Sequence, residues 1–177
     1  MPQDFDFFEK IGEYYLAQFN IARMRTDYSH PIFDDFKSRL HEVHKAASED
    51  VDFVWRFEGE HSPDTYIKPY PEDPLLLGNL STWRSIDALR SYTFSDPHLQ
   101  LMKEKRKWFM KMEGHYSVLW WSDTPRPTLK TAKERLEYLQ REGVSQLAFT
   151  FQKPIYYADF EQITLKNVKV SQDQRAV

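Results

Sequence analysis

Apolar and polar residues recur with two different periods along this chain, and the switches between them mark its elements. Tyr14 to Met24, YYLAQFNIARM, is rich in β-formers and predicts a strand. Asp27 to Pro31 reads as a turn. From Ile32 to Ala47, the residues Phe33, Phe36, Leu40, Val43 and Ala47 fall three to four apart, which is one face of an amphipathic helix. VDFVWRF, Val51 to Phe57, is the next strand. Glu58 to Pro74 contains Gly59, Pro63, Pro69, Pro71 and Pro74 and predicts a loop, with room for a short strand at Thr65 to Lys68. Leu75 to Trp83 predicts a strand. Ser85 can cap a helix starting at Ile86, with Asp87 favourable in its first turn. Asp96-Pro97 interrupts that helix and opens a second segment to about Met112, closed by Gly114. His115 to Trp121 is a strand, and Ser122 to Pro127 a loop. Thr128 then caps a helix with Leu129, Ala132, Leu136 and Leu139 on one face and Gly143 as its stop. Leu147 to Phe151 predicts a last strand. Residues 4–13 suggest a short helix or an arm. The tail after Pro154 is polar until ITLKNVKV, which suggests a short strand or a partner-binding arm.

The order strand–helix–strand occurs twice, over residues 14–57 and 75–121. Aligning LAQFNIARM with LLLGNLSTW superposes Asn20 on Asn79. Two such units predict an α+β fold, a ferredoxin-like βαββαβ with an antiparallel sheet covered on one face by helices, plus an extra C-terminal helix and strand. The other sheet face needs cover, and a homodimer whose two sheets form an α/β barrel would supply it. The domain is expected over 14–154, with an arm before it and a tail, 155–177, after it.

Composition adds one emphasis and several exclusions. Of 177 residues, 16% are aromatic, including 13 Phe, 10 Tyr and 5 Trp, which favours a thick core, an aromatic-lined cavity or an extensive interface. The net charge of -3 gives no bias toward nucleic acid. The basic cluster Lys103, Lys105, Arg106, Lys107 and Lys111, diluted by Glu104, reads as a solvated helix face. The absence of cysteine removes disulfides, thiolate nucleophiles and iron–sulfur clusters and fits a reducing cytoplasm. The acidic N-terminus lacks the pattern of a secretory signal, and no apolar run approaches the roughly 20 residues of a membrane span.

QFNIARM, then FVWRF, LLLGNLSTWRSIDALRSYTF, HLQLMKEKRKWF, LWW, a Pro-flanked helix and AFTFQKP together resemble an uncharacterised bacterial and fungal family. It is catalogued as domain of unknown function 3291, within the dimeric α/β-barrel superfamily. The resemblance covers about residues 16–154. The superfamily implies a ferredoxin-like fold, a homodimer and a pocket between sheet and helices. Its members include cofactor-independent monooxygenases, haem-dependent enzymes, muconolactone-type isomerases and polyketide cyclases. The closer family carries no agreed reaction or catalytic residues.

The candidate chemistry centres on one helix. At about 100° per residue, Met102, Lys105 and Phe109 share the face of His98, with Arg106 and Trp108 on its flanks. His98 is a candidate acid/base near neutral pH, and Arg106 a clamp for an enolate or carboxylate. The plainer account gives His98 to the helix N-terminus or to solvent. Trp55, Trp83, Trp108 and Trp120 are candidate walls, with Tyr92, Met102, Phe109 and His115 beside them; core packing is the competing account. Strand alternation sends Trp120 and Trp121 to opposite faces. Asn20 and Asn79 interrupt apolar strands and could bond a substrate, as an asparagine and a tryptophan do in some oxygenases of the superfamily; an edge or bulge role serves equally. His41 and His44 are spaced to share a metal, but no third ligand follows, so no metal site is expected. There is no G-x-S-x-G elbow, G-x-G-x-x-G or P-loop.

These readings converge on a small cofactor-independent enzyme. It would act on a hydrophobic, aromatic or polyketide-like molecule by proton transfer, as a cyclase, isomerase or monooxygenase of secondary metabolism. The alternatives are a haem protein with His98 or His115 as axial ligand, and a non-catalytic ligand-binding or interaction module.

Overall fold

A computed structural model describes residues 14–58 and 67–162. The expected arm at 1–13, the first half of the expected strand at Thr65–Lys68 and the ITLKNVKV stretch lie outside them. The elements run β1 (Tyr15–Arg23), α1 (Asp34–Ser48), β2 (Phe53–Arg56), β3 (Leu76–Trp83), α2 (Ile86–Thr93), α3 (Asp96–Glu104), β4 (Ser117–Ser122) and α4 (Leu129–Glu142). Short 3-10 turns precede α1 at Pro31–Phe33 and follow α3 at Lys105–Lys107. The strands form one sheet in the order β2-β3-β1-β4, with antiparallel neighbours throughout. That is the ferredoxin-like arrangement, and the fold is α+β.

Local chemistry sets the boundaries. Ser85 Oγ accepts from Ala88 N and Thr128 Oγ1 from Thr131 N, so both expected caps are made. Gly143 ends α4 at φ +80°, a backbone region side chains disfavour. Two elements differ from expectation. The helical segment after Pro97 stops at Glu104 rather than near Met112. Trp108 turns inward, its Nε1 donating to Ile32 O at 2.9 Å, and the backbone beyond it pairs with β1's end through Arg25 N to Trp108 O and Met110 N to Arg23 O. A continued helix could not supply those bonds. The strand expected at 147–151 is reduced to a bridge, in which Phe149 and Leu119 exchange both backbone bonds before the chain turns away toward Pro154. The start of the expected tail is built into the domain: Trp121 Nε1 donates to Ile155 O at 2.8 Å, and Ile155, Tyr157 and Phe160 pack against Trp121 and its neighbours.

Pleat alternation divides each strand between two faces. On one face Ala17, Phe19, Ile21, Leu80, Val118 and Trp120 meet Ala132, Leu136 and Leu139 of α4. The expectation left this face to a second copy of the chain; α4 supplies cover from within it. Gly78 lies here, and a Cβ on it would stand 3.1 Å from Phe19 Cε2 and 3.2 Å from Pro69 Cγ. The loop carrying Pro69 can therefore press onto β3, where Ile67 pairs with Gly78. Arg23 holds the same loop through a bidentate pair with Asp73, at 2.6 and 3.3 Å. The opposite face lies under α1, α2 and α3.

Candidate functional site

Beneath those three helices the sheet carries two apolar clusters rather than one. Leu16, Trp83, Leu119 and Trp121 anchor one end with Ile86 and Leu89 of α2. Met24 and Leu77 anchor the other with Phe36, Leu40 and Val43 of α1. Between them β1 presents Gln18 and Asn20, and β3 presents Asn79 and Ser81. The pairing sets Asn20 opposite Asn79 and Gln18 opposite Ser81, and Arg56 of β2 comes opposite Ser81 on its other side. Five polar residues thus cross the middle of a face that helices would ordinarily bury against apolar side chains.

A hydrogen-bonded chain orders part of this band. Trp83 Nε1 donates to Ser81 Oγ at 3.0 Å, Ser81 Oγ donates to Gln18 Oε1 at 3.2 Å, and Gln18 Nε2 donates to Asn20 Oδ1 at 2.7 Å. Each amide is oriented by the one before it. Two atoms stay outside the chain: Arg56 Nε and Asn79 Oδ1 are buried and have no hydrogen-bond partner. A buried polar group left unpaired costs about 1–3 kcal/mol, so two in one band need a reason.

Three helix side chains stand over or beside the band. Tyr92 of α2 stacks on Trp83, with ring centroids 5.0 Å apart and planes 29° apart. His98 of α3 lies 5.1 Å from the Tyr92 ring, and its Nδ1 is 2.8 Å from Thr93 O. A carbonyl only accepts, so Nδ1 carries the proton of the neutral imidazole and Nε2 keeps the lone pair. Burial lowers the His98 pKa, opposed by the Thr93 bond. His44 of α1 is buried, and burial, then the charges of Arg56 and His41, pull its pKa down to about 3. Burial pushes Tyr92 up to about 12, against the Arg56 charge. Burial also lowers Arg56, opposed by Tyr92 and Glu58. Near neutral pH the two histidines and the phenol are therefore uncharged, while the guanidinium keeps its charge. Arg56 forms no salt bridge among the described residues.

The residues singled out from sequence divide by location. Asn20, Asn79, Trp83, Tyr92 and His98 gather here. Arg106 does not: it is exposed on the 3-10 turn, where its carbonyl accepts from Arg25 Nε, and it shares no helix with His98. Early termination of α3 is the reason. Trp55 and Trp120 lie on the α4 side of the sheet, whereas Trp121 faces the helices, so alternation separates the two neighbours as expected. Trp108 is buried in the cluster around Phe36, and Phe109 packs on Phe33 and Phe36. Met102 is exposed at 41%, and His115 is exposed, its carbonyl accepting from Gln140 Nε2. His41 is exposed while His44 points inward, so the two share no ligand face, and no group of three metal-ligating side chains occurs among the described residues. Sequence reasoning missed Gln18, Ser81 and Arg56, and considered His44 only as half of a metal pair with His41. The signal for the first two was present: Gln18 and Asn20, like Asn79 and Ser81, are two apart and so share a face.

Two surface hollows lie elsewhere. One, of about 350 Å³, is lined by Tyr14, Tyr15, Arg84, Trp121, Tyr156 and Tyr157 among others, and one by Tyr138, Leu147, Ile155 and their neighbours. Neither His98 nor His115 lines them. The Thr93 carbonyl on His98 Nδ1 leaves the lone pair on Nε2, whereas His115 lies exposed on the surface.

Topology and polar band together define a ferredoxin-like α+β domain with a polar interior between sheet and helices. A family model described as "Domain of unknown function (DUF3291)" matches residues 15–165, and the chain belongs to that family. No curated protein matches it. Among solved structures it is similar to PA3566 of Pseudomonas aeruginosa, with 8% identity, a TM-score of 0.41 and coverage of 66% of this chain and 97% of that one. A candidate antibiotic biosynthesis monooxygenase from Chloroflexus aurantiacus shows 10% identity and a TM-score of 0.38, with 58% and 89% covered. A Nitrosomonas europaea protein of unknown function, NE2512, shows 9% and 0.40, with 65% and 93% covered. Among the described residues no helix is long and apolar enough to cross a membrane.

Proposed function

We propose that this protein binds an anionic, hydrophobic small molecule between its sheet and helices and acts on it by proton transfer, without a cofactor. The observation that carries this reading is the pair of buried, unpartnered atoms, Arg56 Nε and Asn79 Oδ1, in one polar band. A guanidinium with no salt bridge among the described residues, beside neutral histidines and a neutral phenol, attracts an anion. Trp83, Tyr92 and Phe53, whose ring lies 5.1 Å from that of Trp83, give the band an aromatic margin. His98 is the base: its imidazole is neutral near pH 7 and Nε2 holds the lone pair. The clamp first assigned to Arg106 passes to Arg56, which would stabilise the enolate formed when a carbon acid loses its proton. Cyclisation, isomerisation and cofactor-independent oxygenation all begin with such a step, so the reading fits biosynthetic chemistry in the cytoplasm. A homodimer belongs to the same reading. On the sheet's second face α4 packs against β1 and β4, and Trp55 beside them stays half-buried. A strictly monomeric mass by light scattering at micromolar concentration removes the dimer.

The test is exchange of an enolisable proton. The protein is incubated in D₂O with phenylpyruvate and related aryl keto acids, and loss of the α-proton signal is followed by NMR. Wild type should exceed buffer, and His98→Gln should lose on the order of 10²-fold, the low end for a general base. Exchange at the buffer rate across the panel, or an undiminished His98→Gln variant, overturns the proposal.

A further inference from the structure

We infer that the natural ligand carries a free hydroxyl as well as an anionic group on one aromatic frame, that is, a hydroxyaryl carboxylate or its enolate equivalent. This rests on the small-molecule reading above and specifies its ligand. Arg56 Nε has a hydrogen and no acceptor; Asn79 Oδ1 has lone pairs and no donor. An anion alone satisfies the first and leaves the second unpaired. A second anionic group at Asn79 would oppose carbonyl oxygen with oxygen. A cationic donor there would stand near the positive charge of Arg56. A neutral hydroxyl meets neither objection.

The neighbouring amide narrows the choice further. Asn20 stands directly across from Asn79, and its Oδ1 is already taken by Gln18 Nε2. That bond fixes the Asn20 amide and directs its Nδ2 hydrogens elsewhere. A hydroxyl both donates and accepts, so it can give its proton to Asn79 Oδ1 and take one from Asn20 Nδ2. A ligand N–H could do only the first. Arg56 lies opposite Ser81, two residues along β3 from Asn79, which makes the two a diagonal pair about 7–8 Å apart on the sheet. That span suits polar groups on opposite ends of one or two fused rings, and Trp83 and Tyr92 form the aromatic margin beside them.

The measurement is calorimetric titration of the whole protein with 2-naphthoate, 2-naphthol and the better of 6- and 7-hydroxy-2-naphthoate, with naphthalene as the unsubstituted reference. Wild type should bind the hydroxynaphthoate at least tenfold more tightly than either singly substituted ring. Asn79→Leu should reduce the hydroxyl's advantage to about onefold while leaving 2-naphthoate affinity in place. Asn79→Asp, which retains the acceptor, should keep the preference for 2-naphthol over naphthalene that Asn79→Leu loses, and so separates lost recognition from lost folding. Arg56→Gln should weaken both carboxylates at least tenfold and leave 2-naphthol unchanged. A hydroxyl worth less than twofold in wild type, with 2-naphthoate bound, overturns the inference and leaves the small-molecule reading standing. Failure of all three rings to bind at millimolar concentration overturns both.

Discussion

Asn20 and Asn79 face each other across the β1–β3 pairing, yet only one of the two amide oxygens is used. Asn20 Oδ1 accepts from Gln18, and Asn79 Oδ1 has no partner. The asymmetry marks Asn79 as a residue retained at a cost to the empty fold. Asn79→Leu should therefore raise unfolding stability by about 1 kcal/mol, since replacing an unsatisfied buried group by an apolar one removes its desolvation penalty. Urea denaturation measures this. A loss of more than about 1 kcal/mol would mean that Asn79 is structural.

Ser81→Ala should do the opposite. It cuts the chain from Trp83 to Gln18 and leaves the indole N–H and Gln18 Oε1 without partners. A loss of about 1–3 kcal/mol is expected, visible as an earlier urea midpoint with an unchanged slope. No shift would show that the chain contributes nothing to the folded state.

His44 gives stability a pH dependence of known sign. Its folded pKa, about 3, lies below the ordinary 6.5. Between those values the unfolded chain binds the extra proton, so the His44 contribution is whole above pH 6.5 and falls as pH drops toward 3. The slope from this group approaches about 1.4 kcal/mol per pH unit. His98 is shifted in the same direction and adds to it. His44→Gln should flatten a plot of unfolding free energy between pH 6.5 and 4, and an unchanged slope would refute the assignment.

On the other face Leu136 and Leu139 are fully buried against the sheet. Leu136→Ala should cost about 2–5 kcal/mol through lost contact and a residual cavity. Ligand affinity in the folded protein should not move, because the polar band lies across the sheet. Equal losses in stability and affinity would show that the two faces are coupled.

Much of the architecture is legible in the chain because strand and helix periods differ and the caps are explicit. Ser85, Thr128 and Gly143 mark boundaries through bonds or a backbone angle that can be named from residue type alone. The end of α3 is not legible, because the charges of Lys105, Arg106 and Lys107 are as compatible with helix as with a turn. What stops the helix is the distant carbonyl of Ile32, which receives the Trp108 indole. The same blindness to long-range pairing put Arg106 in the site and left Arg56 out. Arg56 acquires its place only through β2–β3 register, which two short separated runs do not reveal. Asn20 and Asn79 were visible as exceptions, whereas His44 looked like half of a metal pair until burial separated it from His41.

The alternation along β1 has a consequence for folding fidelity. Ala17, Phe19 and Ile21 belong to the apolar layer under α4, and Gln18 and Asn20 to the polar band, so stability and recognition are written on alternate letters of one strand. Sliding β1 by a single residue would exchange the two texts, driving amides into the aliphatic layer and Phe19 among the amides. Gly78 acts as a proofreading mark against that slip, because its missing side chain accepts the Phe19 ring and Pro69 in this register. A chain in which that glycine had become alanine would risk misreading the strand before it risked losing it.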